Sequence, residues 1–197
     1  MIETIVALDK ELFLFLNGLN AEWLDPIMFW ISGKKEWIPF YIIIIAFLIK
    51  QYKWKTVLIL AGIGLSITLA DQITSGFMKP FFERPRPSHE PTLQGLVHII
   101  NNYKGGAYGF ASSHAANTFA VAMFLWLLLK NNHRWVVFMF GWAAIVSYSR
   151  IYLGVHYPGD ILIGGLIGAG SAWIMFRLYS RADRNYYTPW IAKRTIQ

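Results

Sequence analysis

The sequence predicts an all-α fold, a polytopic transmembrane helix bundle of five to six spans built as a single domain over residues 1–197. Three observations carry this. Hydrophobic residues make up 55% of the chain and the mean hydropathy is +0.39, high for a soluble protein. The apolar residues fall into long runs, and a run of about 20 suffices to cross a bilayer. Nine Trp and ten Tyr suit a protein with two membrane interfaces, where amphipathic rings settle. Composition also excludes some classes. There is no cysteine, so neither disulfides nor a thiolate metal site can exist. The formal charge is +7, but the cations sit in short gaps between apolar runs. That placement fits membrane topology, with a lipid bilayer and not nucleic acid as the partner.

Taken in order, residues 1–35 begin with Met1-Ile2-Glu3-Thr4, which lacks the basic region of a cleavable signal peptide. Leu12 to Leu16 is apolar but is interrupted by Asn17, Gly18 and Asn20; Trp23 to Ile31 is apolar around Pro26. Neither piece can cross alone, so both read as amphipathic segments at the outer interface, a sixth irregular span being the alternative. Five spans follow, at 36–50, 56–78, 113–129, 135–149 and 161–179. The second holds a single acid, Asp71, and the last carries Gly164, Gly165, Gly168 and Gly170, a spacing that favours close helix packing. Residues 180–197 read as a cytoplasmic tail.

The connections alternate in charge. Lys50, Lys53 and Lys55, then Lys130, His133 and Arg134, then Arg177, Arg181, Arg184, Lys193 and Arg194 in or beside the tail, mark the cytoplasmic side by the positive-inside rule. The connections 79–112 and 150–160 then face outward, which places the multi-pass chain in a plasma (inner) membrane with these loops on the periplasmic or extracellular side. They too carry cations (Lys79, Arg84, Arg86 and Arg150), an excess that needs a second reason, and anion binding supplies one.

Three polar clusters lie on these outward connections or at their margins. Lys79 and Arg86 sit among Pro80, Pro85 and Pro87, which stiffen the loop that presents them. A guanidinium binds phosphate through two parallel hydrogen bonds and a lysine binds it as a point charge. Ser112, Ser113 and His114 open the apolar run that follows, where a serine N-cap and free backbone N–H groups make an anion site. Ser149 and Arg150 close one span, and His156 and Asp160 precede the next. A carboxylate on one imidazole nitrogen fixes the tautomer and leaves the other nitrogen as a nucleophile. Each cluster alone also has a plain structural reading: lipid-headgroup contact, a capped helix, or an interfacial histidine.

In order and spacing these clusters resemble the type 2 phosphatidic acid phosphatase (PAP2) family of membrane lipid phosphatases. K-x6-R-P matches Lys79, Arg86 and Pro87; P-S-G-H matches at Ser112 and His114; S-R-x5-H-x3-D matches Ser149, Arg150, His156 and Asp160. Ala111 stands where the family has proline and Ser113 where it has glycine. The chain's size and span pattern are similar to short bacterial members, including undecaprenyl pyrophosphate phosphatases. The resemblance implies hydrolysis of a lipid phosphate through a phosphohistidine. His156 is then the nucleophile, Asp160 its orienting acid and His114 the proton donor. Lys79, Arg86, Arg150, Ser112 and Ser113 form the phosphate cradle, with no metal or cofactor. Undecaprenyl diphosphate, phosphatidate and phosphatidylglycerophosphate are the expected substrates, with lipid A an alternative. Rival readings are a metal-dependent hydrolase using His114, His156, Asp160 and His89, a serine protease on Ser112 or Ser113, and a non-catalytic lipid-phosphate binder or transporter.

Overall fold

The computed structural model describes residues 2–187, and every regular element among them is helical. In chain order these are α1 (Ile2–Gly18), α2 (Asp25–Ser32), α3 (Ile38–Tyr52), α4 (Thr56–Asp71), α5 (Lys79–Phe82), α6 (Ser113–Leu129), α7 (Phe138–Tyr152) and α8 (Pro158–Ala182). A π-helical segment, Gln72–Met78, joins α4 to α5 without a break. Among the described residues, three stretches are long and apolar enough to cross a membrane: Lys35–Phe82, Arg134–Tyr152 and Pro158–Asn185. The first has 48 residues and folds back at Lys53, where φ reaches 49°, so it supplies two of the expected spans. α6 is apolar but shorter, at 17 residues. α7 runs three residues beyond the expected 149, and Arg134–Val137 before it form a tighter 3₁₀ turn.

α6 lies at the centre of the bundle, packed by α4, α7 and α8. Ala116, Ala120 and Phe124 on α6 are fully buried, together with Ile59 of α4 and Ala172 of α8. Small residues let the backbones approach. A Cβ placed on Gly168 would lie 2.0 Å from the Ala116 carbonyl oxygen, and one on Gly164 would lie 2.4 Å from that of Ser112. Gly170 faces open space, so it takes no part in this contact, although the sequence groups it with the others. At the end of the bundle away from the clusters, Lys55 pairs with Asp183 at 2.5 Å, joining the α3–α4 turn to the end of α8. Lys193 and Arg194, and the rest of the expected tail beyond 187, lie outside the described residues.

All three clusters meet at the opposite end. The long loop after α5 doubles back on itself: the Arg86 N–H donates to the Ala107 carbonyl at 3.1 Å and the Gly109 N–H to that of Arg84 at 3.0 Å. This pairing carries Arg86 to the start of α6. α1 and α2 pack against the same end. Asn17, which as sequence only interrupts an apolar run, is buried; its amide donates to the Ile151 and Tyr152 carbonyls at 3.1 and 2.9 Å and its oxygen accepts from the His98 N–H at 2.8 Å. It thereby satisfies the Tyr152 carbonyl at the end of α7 and adds a second donor to that of Ile151, which already accepts the Gly154 N–H at 2.9 Å. Phe13 packs edge-on to Tyr157, with centroids 5.4 Å apart, and fastens α1 to the start of α8.

The close approach of α6 and α8 sets a prediction. Gly168→Ala destabilises the protein by about 1–3 kcal/mol through overpacking and lowers the thermal unfolding temperature in detergent, whereas Gly170→Ala does not.

Candidate active site

His156 stands in the short connection between α7 and α8, with only 1% of its surface exposed. Its Nδ1 lies 3.2 Å from Asp160 Oδ2, and its Nε2 lies 3.1 Å from Arg86 Nη1. A guanidinium only donates, so Nε2 is the acceptor and the ring proton is on Nδ1, donated to Asp160. Local sequence explains the geometry. Pro158 starts α8 without needing a backbone donor. Asp160, two residues on, folds back to accept the Tyr157 N–H at 3.0 Å on the oxygen that also meets His156. A helix cap and an imidazole–carboxylate pair therefore share one carboxylate. Its other oxygen accepts from Arg84 Nη1 at 3.0 Å.

The cations surround this imidazole. Arg86 is 8% exposed and is aimed by the Tyr108 carbonyl, accepting from Nε at 3.1 Å, and the Val155 carbonyl, accepting from Nη1 at 3.0 Å. Arg150 is 3% exposed and donates to the Ser32 hydroxyl and, at 3.1 Å, to the Tyr103 hydroxyl. Its Nε has no partner among the described residues. Lys79 donates to Ser113 Oγ at 2.5 Å and Ser75 Oγ at 3.0 Å; the Ser75 hydroxyl is 3.2 Å from Asp71 Oδ1. Asp71 at the end of α4, Ser75 in the π-helical segment and Lys79 at the start of α5 recur every four residues, which puts all three on one face.

These groups line one cavity of about 720 Å³, with His114, His156, Lys79, Arg86 and Arg150 at its polar end. The same cavity continues between Ile44, Ile45, Leu60, Ile63, Ile67 and Val121 into the apolar body of the bundle. Ser113 lines it, but Ser112 does not. The Ser112 hydroxyl turns back as the N-cap of α6, accepting the Ala115 N–H at 3.5 Å. Ser112 therefore starts the helix that presents Ser113 and His114. His89 lies elsewhere, beside Ser88 in a separate surface cleft, and His98 pairs with Asp25 at 2.9 Å. Among the described residues no group of three His, Asp or Glu side chains is placed to hold a metal ion.

Four contributors escaped the sequence reading as site residues. Ser75 was detectable from its spacing with Asp71 and Lys79. Arg84 stands two residues before Arg86, but nothing local distinguished it from a loop cation. Ser32 and Tyr103 carry no local signal, because their role comes only from tertiary placement against Arg150.

Electrostatics give the cavity its character. Burial, and then the cations Arg86, Arg150 and Lys79, hold the His156 imidazole well below the ordinary histidine value of 6.5. Burial, with the Arg150 charge beside it, likewise lowers Arg86. Like charges crowded out of water favour an entering anion, and a tetrahedral oxyanion has enough acceptors to meet all of them.

A helical membrane protein with a buried histidine ringed by cations is the class that this fold and geometry define. Comparison with known proteins makes the assignment specific. The PAP2 superfamily model matches residues 60–184, and the lipid A 4'-phosphatase of Bacteroides thetaiotaomicron is 41% identical over 179 residues, spanning 89% of this chain and 79% of that protein. The undecaprenyl-diphosphatase of Sulfolobus acidocaldarius is 28% identical over 180 residues, spanning 88% of this chain and 78% of that protein. The crystal structure of Aquifex aeolicus LpxE superposes with a TM-score of 0.67 at 26% identity, covering 86% of this chain and 95% of that one. The chain belongs to the PAP2 superfamily and is a membrane lipid phosphatase.

The depressed His156 value has a signed consequence. The unfolded chain takes up a proton near pH 6.5 and the folded chain does not, so this contribution to stability is complete above that pH and is lost as pH falls. Acidification below 6.5 therefore destabilises the protein through this residue. Unfolding measured across pH shows a shallower acid slope in His156→Gln.

Proposed function

We propose that this protein removes phosphate from a lipid A-type lipid, through a phosphohistidine on His156, at the outer face of a plasma (inner) membrane. One observation carries the reading: the cavity that holds His156 and the cations is continuous with an apolar passage into the bundle. A phosphate at the polar end and an acyl or isoprenoid chain along the passage occupy it together, which favours a lipid phosphate over a soluble one. The 41% identity to a lipid A 4'-phosphatase, against 28% to an undecaprenyl-diphosphatase, favours the lipid A class within that group.

The residues divide the work as follows. Phosphate oxygens take the donors of Lys79, Arg86, Arg150 and Ser113, together with free N–H groups at the start of α6. Arg86 then donates to oxygen instead of to His156 Nε2, which frees the Nε2 lone pair. Nε2 attacks phosphorus, the bond from phosphorus to the lipid oxygen breaks, and His114 delivers a proton to that oxygen. Asp160 holds the Nδ1 proton and stabilises the charge that forms on the ring. In the second step His114 takes a proton from water, the water oxygen attacks phosphorus, and the N–P bond breaks to release inorganic phosphate. Positioning and charge stabilisation supply most of what phosphoryl transfer requires, and three cations provide it without a divalent ion.

Two experiments test this. Purified protein in detergent, with EDTA present, releases phosphate from lipid A in preference to undecaprenyl diphosphate and phosphatidate, and His156→Ala releases none. His114→Ala slows turnover by about 10²–10⁴-fold. Equal release by His156→Ala would sink the mechanism; preference for another lipid would sink only the substrate assignment. Orientation is tested by single-cysteine labelling, which has no background because the chain contains no cysteine. Gln94→Cys reacts with a membrane-impermeant maleimide on intact cells, and Lys130→Cys reacts only after lysis.

A further inference from the structure

Behind His156, on the side away from the cavity, lies a chain of charges that the phosphate-binding scheme does not use. Asp160, fully buried, accepts from Arg84 Nη1 at 3.0 Å, and Arg84 Nη2 donates to Asp9 Oδ2 at 2.8 Å. Asp9 is on α1, outside the region matched by the family model. Its other oxygen accepts the Gly159 N–H at 2.8 Å, next to Asp160 itself. The Arg84 guanidinium carbon lies 4.0 Å above the Tyr157 ring, and the Arg84 carbonyl accepts from the Gly109 N–H at 3.0 Å, so both ends of the residue are fixed. Arg84 does not line the cavity, unlike Arg86 and Arg150.

We propose that Arg84 and Asp9 are positioning residues for the reaction: they hold Asp160 ionised and aligned, and so keep the His156 proton on Nδ1 and the Nε2 lone pair toward phosphorus. This rests on the reading of His156 as the nucleophile. A carboxylate with no contact to water and no cation takes up a proton. A protonated Asp160 would donate to His156 Nδ1, the ring hydrogen would then sit on Nε2, and the nucleophilic lone pair would be lost. Arg84 prevents this. The groups that face Asp160 are His156, Arg84, the Tyr157 phenol and, further off, Arg86. Only the two arginines carry fixed positive charge, and Arg86 is directed at the cavity. Asp9 has the complementary role. Arg84 alone would neutralise Asp160, whereas Asp9, Arg84 and Asp160 together carry one net negative charge. That charge lies behind the imidazole at the moment the ring becomes positive. The N-terminal helix is thereby a working part of the site.

The test uses the full chain in detergent, comparing wild type, Arg84→Gln, Arg84→Lys, Asp9→Asn and His156→Ala. Lipid A is the substrate, inorganic phosphate the competing ligand and thermal unfolding the check on folding. Arg84→Gln lowers kcat by roughly 10- to 100-fold, the scale of a lost hydrogen bond to a charged group. KM and the inhibition constant of phosphate stay within about twofold. Arg84→Lys recovers part of kcat, and Asp9→Asn loses less than Arg84→Gln. A second measurement needs no substrate: ¹⁵N resonances of the His156 ring report the hydrogen on Nδ1 in wild type and on Nε2 in Arg84→Gln. An unchanged kcat and tautomer in folded Arg84→Gln overturns the proposal. So does a loss of phosphate affinity in parallel with kcat, since Arg84 would then be another cradle residue. Activity surviving in His156→Ala would refute the nucleophile reading instead, and the ring resonances would still decide whether Arg84 sets the tautomer.

Discussion

Three cations held close together away from bulk water repel one another, and the way this repulsion is contained organises the site. Lys79, Arg86 and Arg150 are each fixed by neutral acceptors: two hydroxyls for Lys79, two backbone carbonyls for Arg86, a serine and a tyrosine hydroxyl for Arg150. No described carboxylate lies within ion-pair distance of any of them. Hydroxyls and carbonyls aim a cation without cancelling it, so the charge stays available to a ligand. The carboxylate that meets the imidazole, Asp160, is kept on the far side of His156 with an arginine of its own. Opposite charges are thus separated across one imidazole ring.

The bundle can be read as the device that maintains this separation. The glycine face of α8 lets the start of α6 approach so closely that the Asp160 carbonyl accepts the Ser112 N–H at 3.0 Å. The cradle loop and the histidine turn are therefore joined through backbone and not through flexible side chains. Arg86 bridges the same two segments through Tyr108 and Val155. Positions in the cavity then depend on helix packing, which tolerates little displacement.

Much of this was legible in the sequence, for definable reasons. The spans follow from apolar length, and their ends fell within a few residues of the helices because lysines, prolines and the serine cap punctuate the runs. The convergence of His114, His156, Lys79, Arg86 and Arg150 followed from charge placement and motif spacing, and the cavity contains all five. What was illegible is what depends on tertiary placement. Asn17 looks like a break in an apolar run but seals the end of α7. Ser112 was legible as the cap of α6, but that capping turns its hydroxyl away from the cavity was not. Asp9 and Ser32 sit 151 and 118 positions from Asp160 and Arg150, the partners they serve directly or through Arg84, and no local pattern encodes contacts at that range.

The continuity of the polar site with the apolar passage also bears on what concentration means for such a catalyst. A substrate whose head and tail fit one cavity need never enter water. Encounter then occurs by diffusion within a leaflet, in two dimensions, and occupancy follows the mole fraction of substrate among surrounding lipids, not its amount per volume. Added detergent or inert lipid dilutes the substrate at constant bulk concentration, so an apparent KM is a property of the surface in which it is measured.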